Sequence, residues 1–259
     1  MEKGYVQEQG IDFKQLFASV ARMESVRLLI VLTVQEAWKL HHMDVKTAFL
    51  NGELEEEVYV KQPPGYVEEG AEHKVLKLKK ALYGLKQALR AWNMTLDKTL
   101  LSLGFERCPL EHVLYKRGKG ADHLLVGVYV DDLLVTGANE GVVAKFKLKM
   151  EDLFKMSDLG LLSYYLGIEV QQKPGVITLC QEAYAKKILE KCGMEDCNPS
   201  QVPMEPRLKL SKKSGAPKVD ATEYRSVVGS LRYLVNSRPD LAYSVGIVSR
   251  YMEAPRLST

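Results

Sequence analysis

The sequence predicts an α+β fold in which antiparallel strands pack on helices. Stretches with apolar residues at helical spacing alternate along the chain with short stretches rich in β-branched residues. Two pairs of these short stretches lie close enough in sequence to form hairpins. These hairpin-like pairs argue against a doubly wound parallel sheet. Neither a Gly-rich phosphate loop nor a dinucleotide-binding fingerprint occurs.

Helices are predicted where apolar residues recur every three or four positions. The first such segment runs from Ala21 to Lys39 and contains no Gly or Pro. The second runs from Leu82 to Leu103 and is followed by Gly104, a typical helix-ending residue. A charged helix is predicted from about Val142 to Lys155. The last third of the chain is predicted to be helical, interrupted by the Pro- and Lys-rich linker from Pro203 to Lys218.

Strands are predicted from alternation and from β-branched content. The residues from His41 to Val45 alternate between two faces, which predicts a short strand ending near Asp44. The clearest signal lies between Leu124 and Val135, where two apolar runs flank Asp131-Asp132. It predicts a hairpin with two carboxylates at its tip. Further strands are predicted at Val58 to Lys61, Tyr164 to Val170 and Val176 to Cys180.

Composition narrows the class of protein but does not identify a partner. A chain of 259 residues, 46% of them hydrophobic, is long enough to bury a sizeable core. The net charge of +3 is too small to predict nucleic-acid binding by itself. The four cysteines lack zinc-ligand spacing, and the densest apolar run falls far short of the ~20 residues that a membrane span needs. We expect no membrane partner and an intracellular, cytoplasmic or nuclear protein that is not secreted.

The two carboxylates of the hairpin tip, with Asp44 on the preceding strand, predict a metal-dependent site. Like charges close together resist burial, and a divalent cation removes that difficulty. Mg²⁺ takes one or two carboxylates and completes its shell with water and substrate phosphates. Three carboxylates suit a platform for two ions ~3.5–4 Å apart. The alternative is that Asp131-Asp132 is only a turn, where aspartate is common for backbone hydrogen bonding.

Three motifs occur in order along the chain: the segment from Met43 to Gly52, the segment from Leu82 to Trp92 and the hairpin tip Tyr129-Val130-Asp131-Asp132. Together they resemble the reverse transcriptases of copia-type LTR retrotransposons. The hairpin tip resembles their Tyr-x-Asp-Asp box, the first segment resembles their first catalytic motif, and the second segment resembles the motif between those two. The resemblance continues at Lys3 to Tyr5, Phe17 to Arg22, Asp158 to Gly160, Tyr165 to Val170, Tyr224 to Leu231 and Arg238 to Tyr243.

This resemblance implies the RNA-directed DNA polymerase region of a Pol polyprotein, with the palm of a right-hand polymerase. The palm would occupy residues 1–175 with partial fingers at about 50–82, and a thumb-like helical region would occupy residues 176–259. The primer 3′-hydroxyl would attack the α-phosphate of a deoxynucleotide with two Mg²⁺ or Mn²⁺ ions as cofactors. The implied partners are an RNA or DNA template with its primer, deoxynucleoside triphosphates and other Pol segments.

The resemblance also implies roles for individual residues. Asp44, Asp131 and Asp132 would be the catalytic, metal-binding triad. The residues implied in nucleotide binding are Val45, Phe49, Tyr83, Gly84 and Gln87. The residues implied in nucleic-acid binding are Lys86 and Arg90, with Leu166 and Gly167 in the segment that resembles the holder of the primer terminus.

Several of these residues have a plain structural alternative. Phe49 stands where related enzymes keep an aromatic ring against the sugar, but it equally suits a core position. A basic helix face such as that of Lys86 and Arg90 is usually just solvated. His41 and His42 precede Asp44, and alternation puts only His42 on its face; both are interpreted as structural or surface residues.

The sequence also departs from the family. Ser19 and Leu89 stand where the family usually has proline. Leu89 lies inside the middle motif, so this departure affects how the template would be placed. We expect the chain to be truncated at both ends, beginning within the end of the basic fingers segment and stopping before a ribonuclease H region. The alternative function is therefore a catalytically incomplete, nucleic-acid-binding remnant of such a polymerase.

Overall fold

The computed structural model describes residues 4–16, 18, 21–208, 210–211 and 215–257. Ser19 and parts of the predicted linker therefore lie outside the described residues. The chain divides into two compact units, unit 1 with Met1–Leu162 and Lys173–Val176, and unit 2 with Ser163–Gln172 and Ile177–Thr259. The predicted domain boundary between residues 175 and 176 stays a prediction.

Helices and strands alternate through the described residues, which confirms the α+β class. The α-helices are α1 (Met23–Gln35), α2 (Ala88–Ser102), α3 (Glu140–Leu153), α4 (Glu182–Lys191), α5 (Ala221–Leu234) and α6 (Ala242–Ser249). The strands of unit 1 are β1 (His41–Val45), β2 (Tyr59–Lys61), β3 (Val75–Lys77), β4 (Glu106–Arg107), β5 (Leu114–Arg117), β6 (Leu124–Tyr129), β7 (Asp132–Gly137) and β8 (Met156–Leu161). They are followed by β9 (Tyr164–Tyr165), β10 (Ile168–Lys173) and β11 (Val176–Cys180).

An antiparallel sheet forms the centre of unit 1. Among the described residues it has six strands in the order β4-β5-β6-β7-β1-β8. The hairpin β6-β7 was predicted, and it pairs Leu124 with Gly137 at one end and Tyr129 with Asp132 at the other. Strand β1 inserts between β7 and β8, although it precedes both in the chain. The segment that resembles a first catalytic motif and the hairpin that carries Asp131-Asp132 thus lie on adjacent strands.

Helices α2 and α3 cover one face of this sheet. Trp92, Leu96 and Leu100 of α2 and Phe146 of α3 are fully or almost fully buried. They pack with the apolar side chains that alternate on β1, β6 and β7, namely Met43, Val45, Leu124, Val126, Val128, Leu133 and Val135. Each buried large side chain contributes about 1.5–3 kcal/mol to folding. This core holds the strands that carry the carboxylates.

The helix predicted from Leu82 to Leu103 begins later than predicted. Helix α2 begins at Ala88, and residues 82–87 form turns. Gly84 has a φ of +103°, which a right-handed helix cannot contain. The predicted end is confirmed, because Gly104 adopts a φ of +81° just after the helix.

Strands β3, β4, β5 and β8 were not predicted. Strand β4 has two residues, too few to show an alternating pattern. Strand β8 lies at the edge of the sheet, and its partly exposed residues do not alternate regularly between buried and exposed. It nevertheless pairs with β1, and Ser157 lies opposite Asp44 in this register.

Unit 2 contains a three-stranded sheet and helices α4 to α6 among the described residues, with the strand order β11-β10-β9. The strand predicted from Tyr164 to Val170 is interrupted, which corrects the prediction. Leu166 and Gly167 have φ values of +48° and +77° and form a tight turn between β9 and β10. Asp220 caps α5 by accepting hydrogen bonds from the backbone of Thr222 and Glu223.

Among the residues that the structure describes, no helix is long and apolar enough to cross a membrane.

Candidate active site

Two of the three predicted carboxylates face each other across adjacent strands. In the antiparallel pair β1-β7, Asp44 is the direct partner of Asp132. Directly opposed residues share one face of a sheet, so both carboxylates project to the same side. Asp131 lies just before β7, and its carbonyl oxygen accepts a hydrogen bond from the backbone N–H of Val45 at 2.9 Å. The structure therefore brings Asp44, Asp131 and Asp132 into one region.

The carboxylates belong to a row of residues that crosses four strands. Tyr129 on β6 is paired with Asp132 on β7, and Asp44 on β1 is paired with Ser157 on β8. Together with the pair of Asp44 and Asp132, these contacts place a hydroxyl group at each end of the row. Sequence analysis did not single out Ser157, because the strand that carries it was not recognised.

The hairpin tip is held in an unfavourable backbone conformation. Val130 has a φ of +55°, which is rare for a β-branched residue and costs roughly 1–3 kcal/mol. The indole Nε1 of Trp92 donates a hydrogen bond to the carbonyl oxygen of Val130 at 2.6 Å. Since Trp92 is fully buried in α2, it ties the tip to the core.

The negative charges of the site affect one another. Burial raises the pKa of Asp131 above its ordinary value, and the charges of Asp132 and Asp44 raise it further. A hydrogen bond from the backbone N–H of Asp131 opposes this shift. The charges of Asp132 and Asp44 thus destabilise the ionised form of Asp131, and a bound cation would offset that repulsion.

The two neighbouring histidines of β1 have different surroundings. His42 Nε2 lies 2.6 Å from Asp132 Oδ1. His41 Nε2 lies 3.2 Å from Glu140 Oε2, and its Nδ1 accepts a hydrogen bond from Lys147 Nζ at 3.4 Å. The interpretation of His42 as a structural or surface residue missed the contact with Asp132. The alternation that placed His42 on the face of Asp44 was the signal for it.

The donor chemistry suits a hard divalent cation. Carboxylate oxygens are the ligands that Mg²⁺ and Mn²⁺ prefer. The raised pKa of Asp131 reflects first its burial and then the negative charges of Asp132 and Asp44. Across the described ranges, however, no set of three or more His, Cys, Asp or Glu side chains is already arranged to hold a metal ion. Binding by all three carboxylates would therefore require their side chains to reorient.

Comparison with known proteins identifies the family of this chain. Residues 1–206 match the family model described as reverse transcriptase (RNA-dependent DNA polymerase). The chain belongs to the reverse transcriptase family. Its relatives include the retrovirus-related Pol polyproteins from transposon RE1 of Arabidopsis thaliana and from transposon TNT 1-94 of Nicotiana tabacum. Each is 39% identical over 98% of this chain, and the match spans 17% and 20% of their respective lengths.

A shorter relative is similar over most of its own length. The putative transposon Ty5-1 protein of Saccharomyces cerevisiae is 38% identical over 83% of this chain and 70% of that protein. The resemblance to a copia-type Pol reverse transcriptase is therefore confirmed. The chain spans about a fifth of the length of the Pol polyproteins that it matches.

The middle motif of this reverse transcriptase chain packs against the first. The rings of Phe49 and Tyr83 lie 4.7 Å apart between centroids. Phe49 is partly buried at the edge of the core, whereas Val45 is buried within it. Gly84 approaches the N-terminal segment so closely that a Cβ on Gly4 would lie 1.9 Å from the Gly84 carbonyl oxygen.

Gln87, in the middle motif, contacts the N-terminal segment and is only 1% exposed. Its Oε1 accepts a hydrogen bond from Gln7 Nε2 at 3.0 Å. Its own Nε2 is buried, and no hydrogen-bond partner for it occurs within the described part of the chain. In this conformation Gln87 does not present its amide nitrogen to the surface.

The cations predicted to contact nucleic acid are engaged by the N-terminal segment. Lys86 Nζ donates to the carbonyl oxygen of Gln7 at 2.8 Å and lies 5.4 Å from the centroid of the Phe13 ring. Arg90 donates to Gln15 Oε1 at 2.5 Å. Contact with a phosphate would compete with these hydrogen bonds. The sequence did not reveal them, because the partners lie 75 and 79 residues away.

Leu166 and Gly167 belong to unit 2 and form the β9-β10 turn. Tyr233 of α5 packs against this turn, since a Cβ built on Gly167 would lie 2.5 Å from the Tyr233 hydroxyl oxygen. The Tyr233 ring also makes an edge contact with Tyr184 of α4 at 5.1 Å between centroids. Two helices of unit 2 therefore support the turn through aromatic side chains.

Proposed function

We propose that this chain is the RNA-directed DNA polymerase core of a copia-type retrotransposon. It would transfer a nucleotide from a deoxynucleoside triphosphate to the 3′-hydroxyl of a primer on an RNA or DNA template. The observation that carries this proposal is the pairing of Asp44 with Asp132, with Asp131 beside them at a strained hairpin tip. Family membership supports the same reaction.

Asp44, Asp131 and Asp132 would hold two divalent cations, Mg²⁺ or Mn²⁺. When bound, these ions would supply charge stabilisation at the attacking, transferring and leaving oxygens. The remaining contribution of the chain is positioning. The buried Val45 and Trp92 keep the strand and the hairpin tip in place, so the carboxylates do not have to be ordered at the moment of reaction.

Side chains near the carboxylates would bind the nucleotide and the template. Phe49 would lie against the sugar, with Tyr83 behind it, because their rings already contact each other. Gly84 and Gln87 would complete the nucleotide contacts after a local rearrangement, since Gln87 is buried. Lys86 and Arg90 would exchange their bonds to Gln7 and Gln15 for phosphate oxygens.

We propose that unit 1 contains the palm of a right-hand polymerase, with β2 and β3 in partial fingers. The helices of unit 2 would form a thumb-like region, and the Leu166-Gly167 turn between β9 and β10 would contact the primer strand. Other Pol segments are proposed partners of the complete protein.

The test is primer extension on an RNA template in the presence of Mg²⁺ or Mn²⁺. We expect Asp131→Asn and Asp132→Asn to abolish extension, whereas Asp152→Asn, on an exposed position of α3, leaves it unchanged. Extension that survives Asp131→Asn would exclude the proposed site. Extension by a longer version of the chain, but not by this one, would favour the alternative of a nucleic-acid-binding remnant.

A further inference from the structure

His42 makes a short contact with one of the proposed catalytic carboxylates. Its Nε2 lies 2.6 Å from Asp132 Oδ1, and the two side chains are 12% and 23% exposed. A carboxylate oxygen accepts hydrogen bonds, so His42 donates through a protonated Nε2. A charge-assisted hydrogen bond in such a mostly buried position restricts the rotation of the carboxylate about its side-chain torsions.

The strand register explains why His42 reaches Asp132. On β1 and β7, His42 is paired with Leu134 and Asp44 is paired with Asp132. His42 and Asp132 are therefore diagonal neighbours on the same face, within reach of a long side chain. The adjacent His41 projects to the other face and contacts Glu140 and Lys147 of α3.

We propose that His42 is a positioning residue for Asp132. It holds Oδ1 through the hydrogen bond and leaves Oδ2 for a divalent cation. This inference rests on the proposed function, because it assigns to His42 a role toward the proposed metal-binding carboxylates. Removing a group that holds a metal-ligating carboxylate through a hydrogen bond typically weakens metal affinity by about 10- to 100-fold.

Direct Mn²⁺ binding, followed by electron paramagnetic resonance at one fixed pH, tests the proposal without requiring polymerase activity. We expect His42→Leu to weaken Mn²⁺ binding by about tenfold or more, because leucine fills similar space but donates no hydrogen bond. His42→Gln should bind Mn²⁺ within a fewfold of wild type, since its amide N–H still reaches toward Asp132. His41→Gln is the matched control, one residue away on the opposite face, and should bind like wild type.

Thermal unfolding of each variant separates positioning from general loss of structure. If His42→Leu unfolds at a lower temperature, His42→Asn replaces it, because asparagine keeps a polar side chain that is too short to hold Asp132. Equal Mn²⁺ affinity in wild type and in the variants that lack the donor would overturn the role of His42. An equal loss in His41→Gln would overturn it as well, since it would indicate loosening of β1. Absence of Mn²⁺ binding by the wild type would instead overturn the proposed metal site itself.

Discussion

The indole Nε1 of Trp92 and the carbonyl oxygen of Val130 are joined by a hydrogen bond of 2.6 Å. It connects the buried aromatic ring of α2 to Val130, the residue with a left-handed backbone conformation in the Tyr-x-Asp-Asp hairpin. The backbone N–H of Val45 supports the next carbonyl oxygen, that of Asp131. The strain at Val130 persists because Trp92 of the core and Val45 of β1 both hold the tip.

Trp92→Phe removes the donor to Val130 and keeps an aromatic ring in the core. We expect the free energy of unfolding to fall by roughly 1–3 kcal/mol, because a carbonyl oxygen loses its buried partner. We also expect Mn²⁺ affinity to fall, since the tip that carries Asp131 and Asp132 becomes less ordered. Urea unfolding and Mn²⁺ binding measure the two effects.

Tyr115→Phe provides the control for Trp92→Phe. The Tyr115 hydroxyl donates to Asp97 Oδ1 at 2.7 Å, in the same core but away from the tip. This variant should lose stability without losing Mn²⁺ affinity. A parallel loss of metal affinity in both variants would contradict a specific role for the bond between Trp92 and Val130.

The pH dependence of stability should reveal the environment of His41. Burial lowers the pKa of His41, the positive charge of Lys147 lowers it further, and Glu140 and Asp158 partly oppose both effects. The unfolded chain therefore takes up a proton at a higher pH than the folded chain does. The stabilising contribution is complete above the unfolded pKa of about 6.5 and is lost as the pH falls toward the lower folded pKa.

His41→Gln keeps one donor and one acceptor but does not titrate. We expect its free energy of unfolding to decrease less than that of wild type between pH 7.5 and pH 5.5. Chemical unfolding at both pH values measures the difference. An equal decrease in the two proteins would show that His41 takes up its proton equally in the folded and unfolded chains.

Gly167→Ala should disrupt the β9-β10 turn by more than backbone strain alone. At a φ of +77° the new side chain costs about 1–2 kcal/mol, and its Cβ would also collide with the Tyr233 hydroxyl. Gly175→Ala is the matched control, because it has a φ of +73° and no described atom lies within 4 Å of its Cβ position. Thermal unfolding should therefore show a larger loss for Gly167→Ala.

Tyr233→Phe should partly rescue Gly167→Ala, because it removes the oxygen nearest to the new Cβ. We expect a favourable coupling energy of about 0.5–3 kcal/mol in the double-mutant cycle, typical of residues in contact. Strictly additive effects would contradict the packing of Tyr233 against the turn.

Phe49→Val should admit ribonucleotides if Phe49 lies against the sugar of the incoming nucleotide. A smaller side chain leaves room for a 2′-hydroxyl, and we expect the preference for deoxynucleotides to fall by about 10- to 100-fold. The ratio of kcat/KM for the two substrates measures it. Leu50→Val, at the next position, should keep the preference, and unchanged discrimination by Phe49→Val would favour a packing role.

Several features of the chain were predictable because their signals are local. The β6-β7 hairpin was visible in two apolar runs around Asp131-Asp132, and β1 was visible in strict alternation. The start of α2 was not predictable, because the apolar spacing already begins at Leu82. The backbone conformation of Gly84 prevents the helix from starting there. Strand β8 was missed because an edge strand carries little periodic burial.

The sequence by itself determined the α+β class, the carboxylate motifs and the membership of the reverse transcriptase family, because these depend on residue order and local spacing. Only the tertiary structure decided that Asp44 faces Asp132, that His42 contacts Asp132, and that Trp92 supports the tip. It also showed that Lys86 and Arg90 are bound by the N-terminal segment. Strand register and long-range hydrogen bonds join residues 38 to 90 positions apart, and no local pattern encodes such pairings.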